Sequence, residues 1–326
     1  MPMTSSTPEH PVHPPVAVDR AGVAALETID HAGLDWGRVS GSTYLIHHEL
    51  RYVYPGPIID LRHKLMIVPP PQLGDQRRIM HRIEVTGAEH TLTERADRFG
   101  NLVAEIAADR VEAAVGFEAW AVVQRCTGCP PAGIAADRAG RLGLLTPTTL
   151  TMPDDAILEA AATLTGGRSL RWGSDRAGAL ALAERIADFT ARHFTYRFGV
   201  TSVATTAAEA MAGRIGVCQD YSHVMLALCR AAGLPVRYVS GHLLGEGGTH
   251  AWVEVLVPHP DQPGRLVAEG FDPTNDRRVG LVHVPVAVGR DYADVAPTSG
   301  SFEAGYQGRL ESSKRVGVTA VEYSAA

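Results

Sequence analysis

The chain has 326 residues and a mass of 34.8 kDa, with 45% apolar and 20% charged residues, a formal net charge of −6 and a pI near 6.2. That length holds one large or two ordinary domains, and the composition excludes a wholly disordered or fibrous chain. No apolar run reaches the roughly 18 residues of a membrane span, and the acidic balance lacks the basic stripe of a nucleic-acid binder, so neither a membrane nor DNA or RNA is expected as a partner.

The opening MPMTSSTPEHPVHPPVAVDR holds five prolines in fifteen residues and lacks the basic start and apolar block of a signal peptide. Residues 1–40 therefore read as a disordered tail of a cytoplasmic protein. Residues 41–150 read as a β-rich domain and its linker, with β-branched or aromatic runs at 43–54, 64–69, 77–85, 102–108 and 111–124 and a turn at Asp97-Arg98-Phe99-Gly100-Asn101. A stretch rich in Pro, Gly and Thr from 129 to 153 marks the boundary. Residues 151–326 then show helical spacing at 179–193, 205–212 and 218–232, the last ended by Gly233 with Pro235 beyond. Strand patterns follow at 236–243, 250–257, 265–271, 281–288 and 316–323, so this half reads as helices followed by an antiparallel sheet, an α+β class.

Among 30 basic residues only Lys64 and Lys314 are lysines. Four cysteines are too few for a disulfide scaffold, and reduced thiols are expected. Cys126-Thr127-Gly128-Cys129 is a lone CxxC with no further zinc ligands at compatible spacing. His47 and His48 alternate across a strand, so their rings cannot chelate one ion. Asp272-Pro273-Thr274-Asn275-Asp276 lacks the DxDxDG spacing of a calcium loop. Neither a metal nor another cofactor is expected.

Three stretches carry chemistry: Gly216-Val217-Cys218-Gln219-Asp220, Thr249-His250-Ala251-Trp252-Val253-Glu254 and Gly270-Phe271-Asp272-Pro273-Thr274-Asn275. Cys218 falls in the first turn of a helix, where free N–H groups and the dipole favour a thiolate. Asp220, two residues on, suits the same helix start without a catalytic role. The strands around His250 and Asp272 flank a turn-rich connection, and a hairpin centred on Asp261 would set these two residues opposite each other, with the carboxylate accepting from imidazole Nδ1.

The stretches GVCQDYSHVMLALCRAAGLPVRYVSGHL, THAWVEV and GFDPTN resemble the core of bacterial transglutaminase-like proteins of the papain-like superfamily, and YLIHHELRYVYPGPIIDLRHKLMIVPP resembles the β-rich region that precedes it in that family. The resemblance implies a papain-like, transglutaminase-core domain in which Cys218 is the nucleophile, His250 the general base and acid and Asp272 the orienter, with acyl transfer through a thioester. The backbone N–H of Cys218 is placed as one oxyanion donor. The implied partner is a peptide or other amide, with hydrolysis expected over amine transfer; the alternatives are an amide-forming acyltransferase, either a transglutaminase cross-linker or a small-molecule condensing enzyme, and a non-catalytic binding module on the same fold. Two positions depart from the family pattern: Glu269 stands near the usual tryptophan and places a carboxylate near the site, and His242, at a common tyrosine position, is expected to line the cleft. Oligomeric state is not legible.

Overall fold

The structure, a computed structural model, describes residues 26–128, 133–167 and 175–324. The first half supplies β1 (Val39–Val53), β2 (Ile58–Leu65), β3 (Gln76–Thr86), β4 (Thr91–Ala96), β5 (Leu102–Val111) and β6 (Ala114–Cys126). These are strands because apolar residues recur at every second position. In β2, Ile58, Leu61, His63 and Leu65 are buried between exposed neighbours, and in β6 Val115, Phe117, Ala119, Ala121 and Val123 point inward. Two antiparallel sheets result, and their inner faces meet in one core that includes Ile46, Leu61, Ile106 and Phe117.

The second half supplies α1 (Ala136–Arg141), α2 (Asp155–Thr165), α3 (Arg176–His193), α4 (Ala207–Gly213) and α5 (Cys218–Ala231), then β7 (Val236–Leu243), β8 (His250–Pro258), β9 (Arg265–Asp272) and β10 (His283–Gly289). The strands pair antiparallel in the order β9-β8-β7-β10. From Gln219 to Arg230, α5 is buried on every side, because it lies between this sheet and the other helices, with Val224, Met225 and Leu228 in the common core. Gly233, at φ +81°, turns the chain out of the helix in the left-handed region open to glycine.

The chain then returns to the first half. β11 (Thr298–Glu303) pairs with β2, and β12 (Arg309–Tyr323) runs along the full length of β1. The sequence reading had placed the 316–323 strand in the sheet of the second half; it completes the first-half sandwich instead. Strand patterning fixes that a segment pairs but not with which edge, and β1 offered a long open one. Of the expected tail, residues 1–25 lie outside the described residues, while 26–40 touch the sandwich at a few points with most side chains exposed: Ile29 N–H donates to Val318 O at 2.7 Å, Leu34 and Trp36 rest on the sandwich core, and Val39 already opens β1.

All seven residues of β10 are buried, since Ala287 faces the helices while Val284 and Val286 face the sandwich. The first half grips this strand with polar side chains. Gln76 Nε2 donates to Pro285 O at 2.7 Å, and Asn101 both accepts from Val288 N–H and donates to Val288 O, at 2.8 Å each. Arg125, held by Asp75, donates to Gly280 O at 2.8 Å and to His283 O.

Candidate active site

The start of α5 is built by its neighbours. Val217 is extended and has no capping side chain, so Asp220 reaches back to accept from Val217 N–H and from Thr201 Oγ1, at 2.7 Å each. Burial pushes the Asp220 carboxyl above its ordinary range, and these hydrogen bonds oppose the shift. Gly216 is required here by space: a Cβ on it would lie 2.6 Å from Asp220 Cβ. The expectation that Asp220 is structural agrees with these contacts. Cys218 is thereby set as the first helical residue, half-buried at the floor of a cleft of about 520 Å³.

Three strand ends converge on that point. His250 opens β8, Asp272 closes β9 and His283 opens β10. His250 Nε2 lies 2.8 Å from Asp272 Oδ2, which leaves the other ring nitrogen unengaged by the carboxylate, and Cys218, on the same cleft, is near enough to act on the imidazole. Glu246 Oε2 stands 3.4 Å from Nδ1. Burial alone would lower the His250 pKa, but Asp272 and Cys218 outweigh it and raise it to about 10.

Asp272 is fully buried and saturated with donors. Its Oδ2 accepts from His250 Nε2, from Asn275 Nδ2 at 2.8 Å and from His283 Nε2 at 3.0 Å, while Oδ1 accepts from the N–H groups of Thr274 and Asn275 at 3.1 and 3.3 Å. Burial would raise this carboxyl, yet the hydrogen bonds from His250, His283 and Asn275 hold it well below the usual carboxylate range. His283 has a defined tautomer, because Gly280 N–H donates to its Nδ1 at 3.2 Å and leaves the proton on Nε2, aimed at Asp272. Burial lowers the His283 pKa, so this second ring is neutral.

The donor atoms of His250, Asp272 and His283 lie within 4.8 Å of one another, as ligands of an ion would. With a proton on Nε2, however, His283 is arranged here to donate to the carboxylate rather than to ligate. A second such group joins His47 and Glu49 of β1 to Glu118 of β6, where His47 Nε2 hydrogen-bonds Glu118 Oε1 at 2.9 Å.

The three residues singled out in the sequence are thus brought together, but by a different register. The hairpin pairs Val253 with Phe271 and Pro258 with Leu266, so it turns about residue 262 and not 261. Pro258 stays in the strand, which moves the turn; extended, the register sets Asp272 opposite Trp252. His250 reaches the carboxylate along the diagonal, through Nε2 and not Nδ1. Glu269 is not a group of the cleft: its oxygens lie 2.5 Å from Arg176 Nη2 and 2.6 Å from Arg278 Nη2. His242 does not line the cleft either, being buried with Nε2 3.2 Å from His48 Nε2 across the two halves. Cys126 is disulfide-bonded, against the expectation of reduced thiols; Cys129 lies outside the described residues.

The sequence reading missed His283 and Glu246 and weighed Asn275 only as an ion ligand. Asn275 and Glu246 had local signals, an amide three residues after Asp272 and an acid in a glycine-rich loop four before His250. His283 had none, since only the sheet brings β10 to β9's end.

Residues 170–265 match the transglutaminase-like superfamily, and residues 44–124 match the bacterial transglutaminase-like N-terminal region. An uncharacterised protein of Mycobacterium tuberculosis is 30% identical over 283 residues, covering 79% of this chain and 86% of its own. An uncharacterised protein of Mycobacterium leprae is 37% identical over 114 residues, covering 32% and 38%. Among solved structures, a candidate cysteine protease from Cytophaga hutchinsonii superposes with a TM-score of 0.61 at 21% identity, covering 85% of this chain and 92% of that one. With both regions matched in order and a relative aligned over most of the length, the chain belongs to the transglutaminase-like superfamily and carries the N-terminal region of its bacterial members.

Proposed function

We propose that the protein is a thiol-dependent acyl-transfer enzyme acting on peptide-like amides, with Cys218 as nucleophile, His250 as general base and acid, Asp272 as the group that orients His250, and water as the main acceptor. The observation that carries this reading is the buried, donor-saturated Asp272 holding His250 Nε2, with Cys218 at a helix start on the same cleft and near enough to act on the imidazole. In the first half-reaction the proton between the Cys218 thiol and His250 Nδ1 rests on the imidazole, whose charged form Asp272 favours, and the thiolate attacks the amide carbonyl. The oxyanion meets the N–H of Cys218. As the tetrahedral adduct collapses, the leaving amine takes the proton from Nδ1, and a thioester remains. Water then gives a proton to Nδ1 as its oxygen adds to the thioester, and the thiolate departs with the acid released. Burial of Asp272 and His250 strengthens their attraction over what the same pair would have in water.

Water is favoured as acceptor because the cleft is open: Phe198, on its rim, is 86% exposed, and Tyr196 and Val203 beside it are also exposed. A transferase has to exclude water or hold an amine in place. The test is mass spectrometry of the intact protein after mixing with a peptide-amide library. An acyl adduct on Cys218 that disappears in Cys218→Ala and is replaced by free acid on standing is the expected result. Predominant transfer to an added millimolar primary amine would favour the condensing alternative.

A further inference from the structure

Beside the cleft lies a second cavity of about 270 Å³, walled by residues of β1, β11 and β12 in the first-half sandwich and by the Gly247-Gly248-Thr249 loop, which it shares with the cleft. Lys314 of β12 lines it. Its ammonium is buried and, among the described residues, has no hydrogen-bond partner. His48 pairs directly across from Lys314 and is turned toward His242 of β7, so the ammonium's inward neighbours are two buried imidazoles and not acids. Burial lowers the pKa of His48 to about 4, with Lys314 adding to the shift, so that ring is neutral. The acid whose charge reaches Lys314 is Glu246, which stands at His250 and makes no hydrogen bond to the ammonium. A buried cation without a hydrogen-bonded counterion is costly, so an anion bound against it would relieve that cost.

We propose that this cavity is a subsite for a carboxylate carried by the substrate, with the Lys314 ammonium as its counterion. The inference rests on the acyl-transfer reading for its reaction, and it adds the class of substrate: an amide that bears a free carboxylate. A carboxylate is favoured over a phosphate because the cavity wall contributes one cation and no arginine, whereas bidentate, dianionic groups are met by guanidinium forks. Burial lowers the Lys314 pKa to about 8, opposed by Glu246 and Cys218, which leaves the ammonium mostly charged at neutral pH.

The probe is a pair of alkylating reagents, N-iodoacetyl-β-alanine and its neutral amide, compared on Cys218 at low salt by peptide mapping. In the wild type the anionic reagent is expected to react faster. In Lys314→Met the ratio of the two rates should fall about tenfold, the weight of one hydrogen bond to a charged group. In Lys64→Met, which removes the other lysine, it should not change. Because each variant is scored by its own ratio, reaction with the neutral amide also shows that the cleft has formed. An unchanged ratio in Lys314→Met overturns the subsite. If Cys218 alkylates with neither reagent, the thiol reading fails on its own, and the subsite is then read by saturation-transfer NMR with glutarate against glutaramide. Signal from glutarate alone, lost in Lys314→Met, supports it; equal signal or none overturns it.

Discussion

Cys218 and Cys229 share one helix and should behave oppositely. Cys229 is fully buried, and desolvation pushes its thiol up to about 12, while Cys218 sits at the helix start beside His250. Brief iodoacetamide treatment near pH 7 should therefore label Cys218 and leave Cys229 unmodified in the native protein. Labelling at comparable rates would remove the basis for a nucleophile. Asp272→Asn sets an amide NH2 against the donors of His250, His283 and Asn275, so turnover should fall by about 10³ to 10⁴ and the fold should also weaken. Its pH dependence follows from the shifts. His250 is raised from 6.5 to about 10, so the stability it contributes is full below 6.5 and is lost as the pH rises through about 10. Asp272 is depressed, so its contribution is present above the ordinary 3.8 and lost as the pH falls. The melting-temperature gap between wild type and Asp272→Asn should then be widest between about pH 4 and 6.5 and narrow toward pH 10. A gap independent of pH would mean that the pair is not ionised as described.

At the scale of elements, the start of α5 depends on contacts made before and after it in the chain. Gly216→Ala would drive a methyl group into Asp220 Cβ, displacing the carboxylate that caps Val217 N–H. The expected cost is about 1–3 kcal/mol by denaturant melts, with slower Cys218 alkylation as the helix end shifts. Unaltered alkylation kinetics would separate the cap from thiol reactivity. The helix itself, and β7 to β9, were legible because apolar spacing, Gly233 and the turn-rich 258–264 segment are local signals. The hairpin register was not. A proline within the run does not end a strand when its missing N–H is not needed, and Pro258 pairs with Leu266 in the ladder.

At the scale of the whole molecule, β10 is the hinge between the halves in a structural sense, since it is apolar on both faces and its carbonyls are held by Gln76, Asn101 and Arg125. Through it the first half positions His283 against Asp272. Arg125→Ala should therefore lower turnover and stability together although Arg125 touches no cleft residue, and His283→Gln, which keeps a donor, should retain more activity than His283→Leu. The pH–rate profile of Cys218 alkylation separates positioning from loss of fold, since a displaced His283 shifts that profile in still-folded protein. Truncation after residue 297 removes β11 and β12 and opens the edge of β1; light scattering should show aggregation of that fragment.

Helix starts, alternating strands and short motifs are written within a few residues of one another, so most local elements, the candidates Cys218, His250 and Asp272 and the family resemblance are readable along the chain. The folded arrangement alone sets the final strands in the first sandwich, brings His283 to complete the hydrogen bonds of Asp272, ties Glu269 to arginines away from the cleft, and buries the Lys314 ammonium beside it. The pairing of β12 with β1 and of Arg176 with Glu269 crosses scores or hundreds of residues, and even the short-range contact of His283 with Asp272 depends on which sheet edge or buried charge is left to satisfy, a choice that neither periodicity nor spacing along the chain encodes.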